Sequence, residues 1–257
     1  MTPLVLTRCT AVNALGCGME ATRAALAAQR SGLRPNDFNP VEVEAYIGRV
    51  DGLETFPVAE GLADYDCRNN RLAELCLQQD DFESAVVSLR ERYAPERIGV
   101  FLGTSTSGIL ETELAYAHLD AFDGRLPDDF HYRERHNFYS VADYVRRRLG
   151  LTGPAEVIST ACSSSAKVFA VAHRYIRAGL CDAAVVGGVD SLCLTTLYGF
   201  NALELVSAAP CRPWDRDRDG ISIGEGAAFA LVEGSGGGRG GAALLGYGES
   251  SDGYHIS

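Results

Sequence analysis

The 257-residue sequence predicts an α/β fold built on a mixed, mostly parallel sheet. Along the chain, short apolar runs typical of buried strands alternate with longer segments whose apolar residues recur at helical spacing. A strand, a helix and a second strand follow each other closely at 156–159, 163–178 and 183–186. A unit of this length predicts two parallel strands joined by a right-handed crossover. Alternating elements of this kind pack as layers of helices on a sheet.

The other elements follow from the same two patterns. Strand-like apolar runs occur at 4–6, 97–103 and 227–233. Helical patterns occur at 19–29, 68–92, 109–121 and 140–149. The first helix is alanine-rich and ends near Ser31-Gly32, and the segment 68–92 predicts either one long helix or a broken pair. Residues 123–139, rich in Asp, Pro and aromatic residues, predict an irregular segment.

Composition and charge limit the classes of function. Hydrophobic residues make up 46% of the chain and charged residues 22%, as in globular domains with a sizeable core. The net charge of −11 argues against general nucleic-acid binding, because no basic excess exists to neutralise phosphates. We find no signal peptide and no apolar run near the ~18 residues that a membrane span needs. We therefore expect a cytoplasmic protein with neither a nucleic-acid nor a membrane partner.

The eight cysteines predict free thiols in a reducing compartment, since none forms a Cys-x-x-Cys pair or a metal-ligand spacing with a histidine. Cys162 is distinct because it lies at the predicted boundary between a strand and a helix. Backbone N–H groups and the dipole at a helix N-terminus stabilise negative charge. Small neighbours would admit a substrate, and an acyl carbonyl on the sulfur would find donors nearby. The alternative is a buried, inert cysteine.

A cysteine nucleophile normally needs a base or an electrophilic partner. His173 lies on the same predicted helix, roughly 16 Å of rise from Cys162 at ~1.5 Å per residue. The other histidines show no spacing relation to that cysteine; they are His118, His131, His136 and His255. The sequence therefore offers no supporting motif for a papain-like or caspase-like hydrolase.

Five motifs occur in order from Cys162 onward. They are Thr160-Ala-Cys-Ser-Ser-Ser165, Gly187-Gly-Val-Asp190, Gly199-Phe200, Cys211-Arg-Pro-Trp-Asp-Arg-Asp-Arg-Asp-Gly220 and Gly224-Glu-Gly-Ala227. This order resembles the beta-ketoacyl-acyl carrier protein synthases and polyketide ketosynthases. Gly246-Tyr-Gly248 followed by Asp252-Gly-Tyr-His255 is also similar to that family just past its midpoint. The resemblance is weak over 1–95 and strong from about residue 150.

The resemblance implies a thiolase-like fold, in which two similar halves form αβαβα layers, and a dimer formed through the first half. It also implies a decarboxylative Claisen condensation between an acyl thioester and malonyl-carrier protein. Cys162 matches the nucleophile, and its own backbone N–H matches half of the oxyanion hole. The implied partners are acyl carrier protein, acyl and malonyl thioesters, and an identical or related subunit. The family implies no cofactor and no metal.

By resemblance, residues 1–233 form the N-terminal ketosynthase half and 242–257 begin a C-terminal half. The Gly-rich segment 234–241 is typical of a flexible linker, whereas the family has a short helix there. The run Leu205–Cys211 is shorter than the corresponding loop of the family. The family's two catalytic histidines, its lysine and its Gly-Phe-Gly-Gly loop belong to the second half and do not occur here. We expect the end at Ser257 to be a cut, and the sequence as written to be unable to condense and to leave an apolar interface exposed.

Four further residues match functional positions of the family. Thr106 and Phe200 match positions of the acyl pocket, with a hydrogen-bonded structural threonine and a core aromatic as the alternatives. Arg68 and Arg71 match positions that dock the acidic carrier protein, with a solvated charged face as the alternative. Further docking candidates are Arg133, Arg135 and Arg146-Arg-Arg148.

The sequence also permits two other interpretations. Asp215-Arg-Asp-Arg-Asp-Gly220 resembles a calcium loop, but Gly226 occupies the place of the bidentate glutamate. A non-catalytic subunit, similar to the chain-length factors that pair with ketosynthases, is the alternative function. Such subunits typically lack the nucleophile, so Cys162 favours the enzyme. The sequence leaves open whether the pathway makes fatty acids, polyketides or polyenes.

Overall fold

The chain folds into helices packed on a central sheet. The structure is a computed structural model that describes residues 2–119, 124–234, 241–251 and 253. Its α-helices are α1 (Met19–Ala27), α2 (Arg68–Leu77), α3 (Phe82–Arg92), α4 (Ile109–Ala117), α5 (Ser140–Arg148), α6 (Ser164–Arg177) and α7 (Leu194–Ala202). Its strands are β1 (Leu4–Asn13), β2 (Gly16–Cys17), β3 (Arg34–Pro35), β4 (Tyr46–Gly48), β5 (Ile98–Gly103), β6 (Ala155–Ile158), β7 (Ala183–Asp190), β8 (Ile223–Gly224), β9 (Gly226–Gly234) and β10 (Ala242–Leu244).

The main sheet is mixed, as predicted. Its strand order is β10-β1-β9-β7-β5-β6, with β2 paired to the end of β1. Strands β6 and β7 both pair parallel with β5, which lies between them, whereas β9 pairs antiparallel with β7 and β1. The predicted strand, helix and strand unit is therefore β6-α6-β7, and its two strands are parallel. A small second sheet has the order β3-β4-β8.

Buried side chains cover both faces of the main sheet. Because successive side chains of a strand point to opposite faces, Val100 and Leu102 of β5 join one cluster and Phe101 joins the other. The first cluster packs helices α2, α3 and α5 against the sheet. The second packs α6 against the opposite face, through Val168 and Val171 among others. The carboxyl ends of β5, β6 and β7 thus lie side by side beneath the N-terminus of α6.

Several elements differ from the sequence-based expectations. The segment 68–92 is the broken pair, because Asp80 and Asp81 adopt positive φ values of 55° and 54° between α2 and α3. Helix α7 was not predicted. The carboxylate of Glu113 in α4 accepts hydrogen bonds from the backbone N–H groups of Leu194 (2.8 Å) and Thr195 (2.7 Å), so a distant residue caps this helix. The two- and three-residue strands β2, β3, β4 and β8 were also missed.

The segment after the predicted linker returns to the main sheet. Strand β10 pairs antiparallel with the first residues of β1, Leu4–Leu6. Most of the predicted linker, 235–240, lies outside the described residues, as do Asp252, Tyr254 and His255 of the late motif. Among the helices of the described residues, none is long and apolar enough to cross a membrane.

Candidate active site

Cys162 lies in the turn between β6 and α6, and its side chain is exposed. The residue before it, Ala161, has a φ of 51°, in the left-handed region that residues with a Cβ rarely adopt. This sharp turn presents the cysteine to solvent just before the first residue of α6. This exposure favours a reactive thiol over the alternative of a buried, inert one.

Hydroxyl groups hold the turn on both sides of Cys162. The hydroxyl of Ser164 donates to the carbonyl of Ala161 (2.6 Å) and accepts from the backbone N–H of Thr160 (2.9 Å). The hydroxyl of Ser163 donates to the carbonyl of Thr160 (2.9 Å). The serines after the cysteine therefore shape the turn, in addition to leaving room for a substrate.

Two glycines allow the first turn of α6 to approach the sheet. Gly103 at the end of β5 and Gly188 in β7 are paired in register. A Cβ on Gly103 would lie 2.4 Å from the backbone nitrogen of Ser165, and a Cβ on Gly188 would lie 2.6 Å from the Ser165 Cβ. Either methyl group would push the start of the helix away from the sheet. These glycines therefore set how closely the turn that carries Cys162 approaches the sheet.

Asp190, the last residue of β7, organises the loop that follows β5. One oxygen of its carboxylate, Oδ1, accepts hydrogen bonds from the backbone N–H groups of Ser105 (2.6 Å) and Thr106 (3.0 Å). The same oxygen accepts from the hydroxyls of Thr104 (3.0 Å) and Thr106 (3.1 Å). Sequence reasoning assigned Asp190 no role, although an acidic residue at the carboxyl end of a parallel strand was a signal for one.

An open cleft of about 280 Å³ borders the start of α6. Its lining includes Ser165, Gly188, Asp190, Val12 and Ala228. The cleft runs along the carboxyl ends of β7 and β1 and the amino end of β9, and Ser165 places it beside the first turn of α6. Small side chains and glycines therefore leave space for a ligand beside that helix terminus.

The two predicted pocket residues lie on adjoining elements. Thr106 is buried, and its hydroxyl donates to Asp190 while accepting from the backbone N–H of Ser191 (3.1 Å). These hydrogen bonds give Thr106 a structural role, which is the alternative that the sequence left open. Phe200 is partly buried in α7, a helix that packs on α4 immediately after the Thr106 loop.

The two predicted docking arginines both lie in the first turns of α2. Arg68 is only 7% exposed, and its guanidinium donates to Glu225 (2.8 and 2.6 Å) and to Glu54 (2.6 Å). The burial and pairing of this cation favour the alternative to docking, in which Arg68 has a structural role. Arg71 is more exposed (28%), with hydrogen bonds to Asp66 and to the Glu54 carbonyl.

The histidines have other partners. The imidazole of His136 contacts the hydroxyl of Thr112, and that of His173 contacts Tyr247 (3.1 Å). Across the part of the chain that the structure describes, no histidine forms a hydrogen bond with Cys162.

Comparison with known sequences identifies the relatives of this arrangement. A family model described as the N-terminal domain of beta-ketoacyl synthase matches residues 74–235. The tetracenomycin polyketide synthase ketoacyl synthase alpha subunit of Streptomyces glaucescens is 30% identical over 94% of this chain and 61% of its own length. The 3-oxoacyl-[acyl-carrier-protein] synthase 2 of Rhizobium meliloti (strain 1021) is 28% identical over 100% of this chain and 66% of its own. The chain thus spans less than two thirds of these relatives.

Solved structures give the same result for the fold. A chain from the solved complex of the ketosynthase ApeO with its chain length factor ApeC, from Xenorhabdus doucetiae, matches with a TM-score of 0.85 and 32% identity. That match covers 100% of this chain and 63% of the solved chain. A beta-ketoacyl synthase from Burkholderia phymatum STM815 matches with a TM-score of 0.84 at 24% identity, over 100% of this chain and 66% of its own, and shows the fold alone. The predicted α/β fold with a mixed sheet is confirmed.

Proposed function

This chain belongs to the beta-ketoacyl synthase family, and on that premise we propose that Cys162 is the nucleophile of a decarboxylative Claisen condensation. Its sulfur attacks the carbonyl of an acyl-carrier-protein thioester, and the carrier's sulfur leaves with the bonding pair. The acyl group is then held on Cys162 as a thioester. A malonyl thioester loses carbon dioxide, and the resulting carbanion attacks that thioester and releases the Cys162 sulfur. The fold is the N-terminal half of the thiolase-like architecture, as the similarity to solved ketosynthases shows.

The exposed position of Cys162 at the N-terminus of α6 is the observation that carries this proposal. The helix has fourteen residues, and its dipole favours negative charge at that end. Both the attacking sulfur and the oxygen of the tetrahedral intermediate carry such charge. The buried cysteines cannot reach a substrate; they are Cys67, Cys76, Cys181 and Cys193.

The remaining assignments follow from the same premise. We propose Thr106 and Phe200 for the wall of the acyl pocket, since their elements adjoin, and Arg71 for contact with the acidic carrier protein. A related subunit is the proposed dimer partner, because ApeO was solved with its chain length factor. The division into a ketosynthase half at 1–233, a linker at 234–241 and the start of a second half at 242–257 also stays a proposal.

A non-catalytic partner subunit with the same fold is the second candidate. Its support is the similarity to a chain from a complex of a ketosynthase with its chain length factor. The exposed thiol at position 162 favours the enzyme, because a subunit without catalysis has no use for it.

Intact-mass analysis tests the choice between the two. The protein is incubated with the octanoyl thioester of N-acetylcysteamine, and the enzyme hypothesis predicts a single octanoyl adduct. The adduct should disappear in Cys162→Ala and remain in Cys17→Ala, the control at the other exposed cysteine. No adduct, or an adduct that survives Cys162→Ala, would favour the non-catalytic subunit.

A further inference from the structure

The loop after β5 reaches across to the turn that carries Cys162. The hydroxyl of Ser105 donates a hydrogen bond to the carbonyl oxygen of Ala161 (3.0 Å). Ser105 is exposed and lies 56 residues before Ala161 in the chain. Two further donors reach the same carbonyl, the hydroxyl (2.6 Å) and the backbone N–H (3.2 Å) of Ser164. The direction of this carbonyl is therefore fixed from two different elements.

The direction of the Ala161 carbonyl also sets the direction of the Cys162 N–H. The two groups belong to one peptide unit, which is planar and trans, so they point in opposite directions. Ala161 has a φ of 51°, which a residue with a Cβ adopts only when its surroundings hold it there. With three donors on its oxygen, the peptide unit aims the Cys162 N–H away from the hydroxyl groups of the turn.

Asp190 holds the loop from which Ser105 acts. Its Oδ1 accepts the backbone N–H of Ser105 at 2.6 Å, next to the bonds from Thr104 and Thr106. The groups come from the carboxyl ends of three neighbouring parallel strands. Asp190 ends β7, Ser105 follows β5, and Ala161 follows β6. A continuous set of hydrogen bonds therefore runs from the sheet edge to the peptide that precedes the sulfur.

We propose that Ser105 and Asp190 are positioning residues that aim the Cys162 N–H at the oxygen of the incoming acyl group, an inference that rests on the proposed function. When the sulfur adds to the thioester carbonyl, that oxygen gains the electron pair of the carbonyl bond. A correctly aimed N–H stabilises the oxyanion until the pair returns and the carrier's sulfur leaves. Neither Ser105 nor Asp190 touches the reacting atoms.

Two rates at the same sulfur test this role. Octanoyl transfer from N-acetylcysteamine passes through an oxyanion, whereas alkylation by iodoacetamide displaces iodide from a CH₂ carbon and forms none. Ser105→Ala should slow octanoyl transfer to Cys162 on the order of tenfold, because a Cys162 N–H that no longer points at the oxyanion stabilises it less. It should change alkylation by less than about twofold, since the thiol stays exposed.

Matched variants accompany Ser105→Ala. Ser105→Thr keeps the hydroxyl and should restore octanoyl transfer. Ser88→Ala removes an exposed hydroxyl that bonds a carbonyl on α3 (3.1 Å), and should leave both rates unchanged. Asp190→Asn should slow octanoyl transfer, and adding Ser105→Ala to it should cause no further loss, since both act through one hydrogen bond.

The outcomes separate the inference from the proposed function. Octanoyl transfer at the wild-type rate in Ser105→Ala would overturn the positioning role. An equal loss of both rates would also overturn it, because it would indicate a less reactive or less accessible thiol. If wild-type Cys162 is alkylated by iodoacetamide but takes no octanoyl group, the proposed function itself fails, and the inference fails with it.

Discussion

Arg68 and Glu225 form a buried, bidentate ion pair, although 157 residues separate them in the chain. The carboxylate of Glu225 also accepts the backbone N–H groups of Val50 (2.9 Å) and Leu192 (3.0 Å). Leu192 lies two residues after Asp190, so the ion pair anchors the end of β7. At that end, Asp190 holds the loop that follows β5. The Gly224-Glu-Gly226 motif thus supplies a buried acceptor for donors from three distant segments.

Removal of Arg68 should destabilise the protein strongly. Arg68→Ala leaves the buried Glu225 carboxylate without its cation, and a broken pair of this kind costs about 3–5 kcal/mol. Urea denaturation measures the free energy of unfolding. Arg97→Ala, which breaks an exposed pair with Asp182, is the control and should cost much less, because solvent screens exposed charges. Equal losses in the two variants would show that burial of the Arg68 pair contributes nothing.

Glu54 should make stability fall in acid. Burial alone would raise the pKa of Glu54, but hydrogen bonds from Arg68 and Arg49 outweigh it and lower the pKa from 4.5 to about 2. Below pH 4.5 the unfolded chain therefore binds a proton at Glu54 that the folded chain does not. The stability from this group is complete above that pH and is lost as the pH falls to about 2.

Glu54→Gln, which cannot titrate, isolates this effect. The unfolding free energy of the wild type should fall more steeply than that of Glu54→Gln between pH 4.5 and about 2. Denaturant titrations at several pH values in that interval give both slopes. Parallel slopes would contradict a lowered pKa at Glu54.

Gly103 should tolerate no side chain. The Cβ of Gly103→Ala would lie 2.4 Å from the backbone of Ser165, so the start of α6 must move, and overpacking of this kind costs about 1–3 kcal/mol. Octanoyl transfer to Cys162 should slow as well. Gly199→Ala in α7 is the control, because its Cβ meets no atom within 4 Å, and it should raise stability by about 0.5–1 kcal/mol. Thermal melting distinguishes them, and a Gly103→Ala variant as stable as the wild type would refute the close approach.

Native thiol labelling should select Cys162. Burial raises the pKa of Cys67 and of Cys76 to about 12 each, so these thiols are protonated as well as inaccessible. Cys17 is exposed, but partial burial and the nearby Asp51 raise its pKa and should slow its reaction. Brief iodoacetamide treatment followed by peptide mass analysis should find Cys162 labelled first and Cys67 labelled only in denaturant. Labelling of Cys67 in the folded protein at the rate of Cys162 would contradict this burial.

The elements that the sequence predicts correctly are those with a local cause. Strand β6, helix α6 and the turn that holds Cys162 follow from a change of apolar period within about twenty residues. Helix α7 could not be found in this way, because its N-terminus is capped by Glu113 from another helix. Of the short strands, β8 forms by pairing with the distant β4, whereas β2 is a two-residue strand that pairs with the adjacent end of β1.

The site was predicted in part for the same reason. A local motif predicts the position of Cys162. The role of Arg68, in contrast, depends on its pairing with the distant Glu225 and on its burial, and neither follows from the local sequence. Asp190 bonds Ser105, and Ser105 bonds Ala161, only because three strands end at one edge of the sheet. Their bonds are tertiary, and no spacing in the chain indicates them.

Competition between two exposed cysteines in one protein tests the central claim most directly. After brief treatment with the octanoyl thioester of N-acetylcysteamine, a single digest gives the acylated fraction at Cys162 and at Cys17. Both are exposed and each lies two residues before a helix, but partial burial and the nearby Asp51 raise the pKa of Cys17. We expect octanoyl transfer to Cys162 to be at least about tenfold faster, since donors at that turn stabilise the oxyanion. Equal acylation of the two cysteines would contradict the assignment of Cys162 as the acyl-accepting nucleophile.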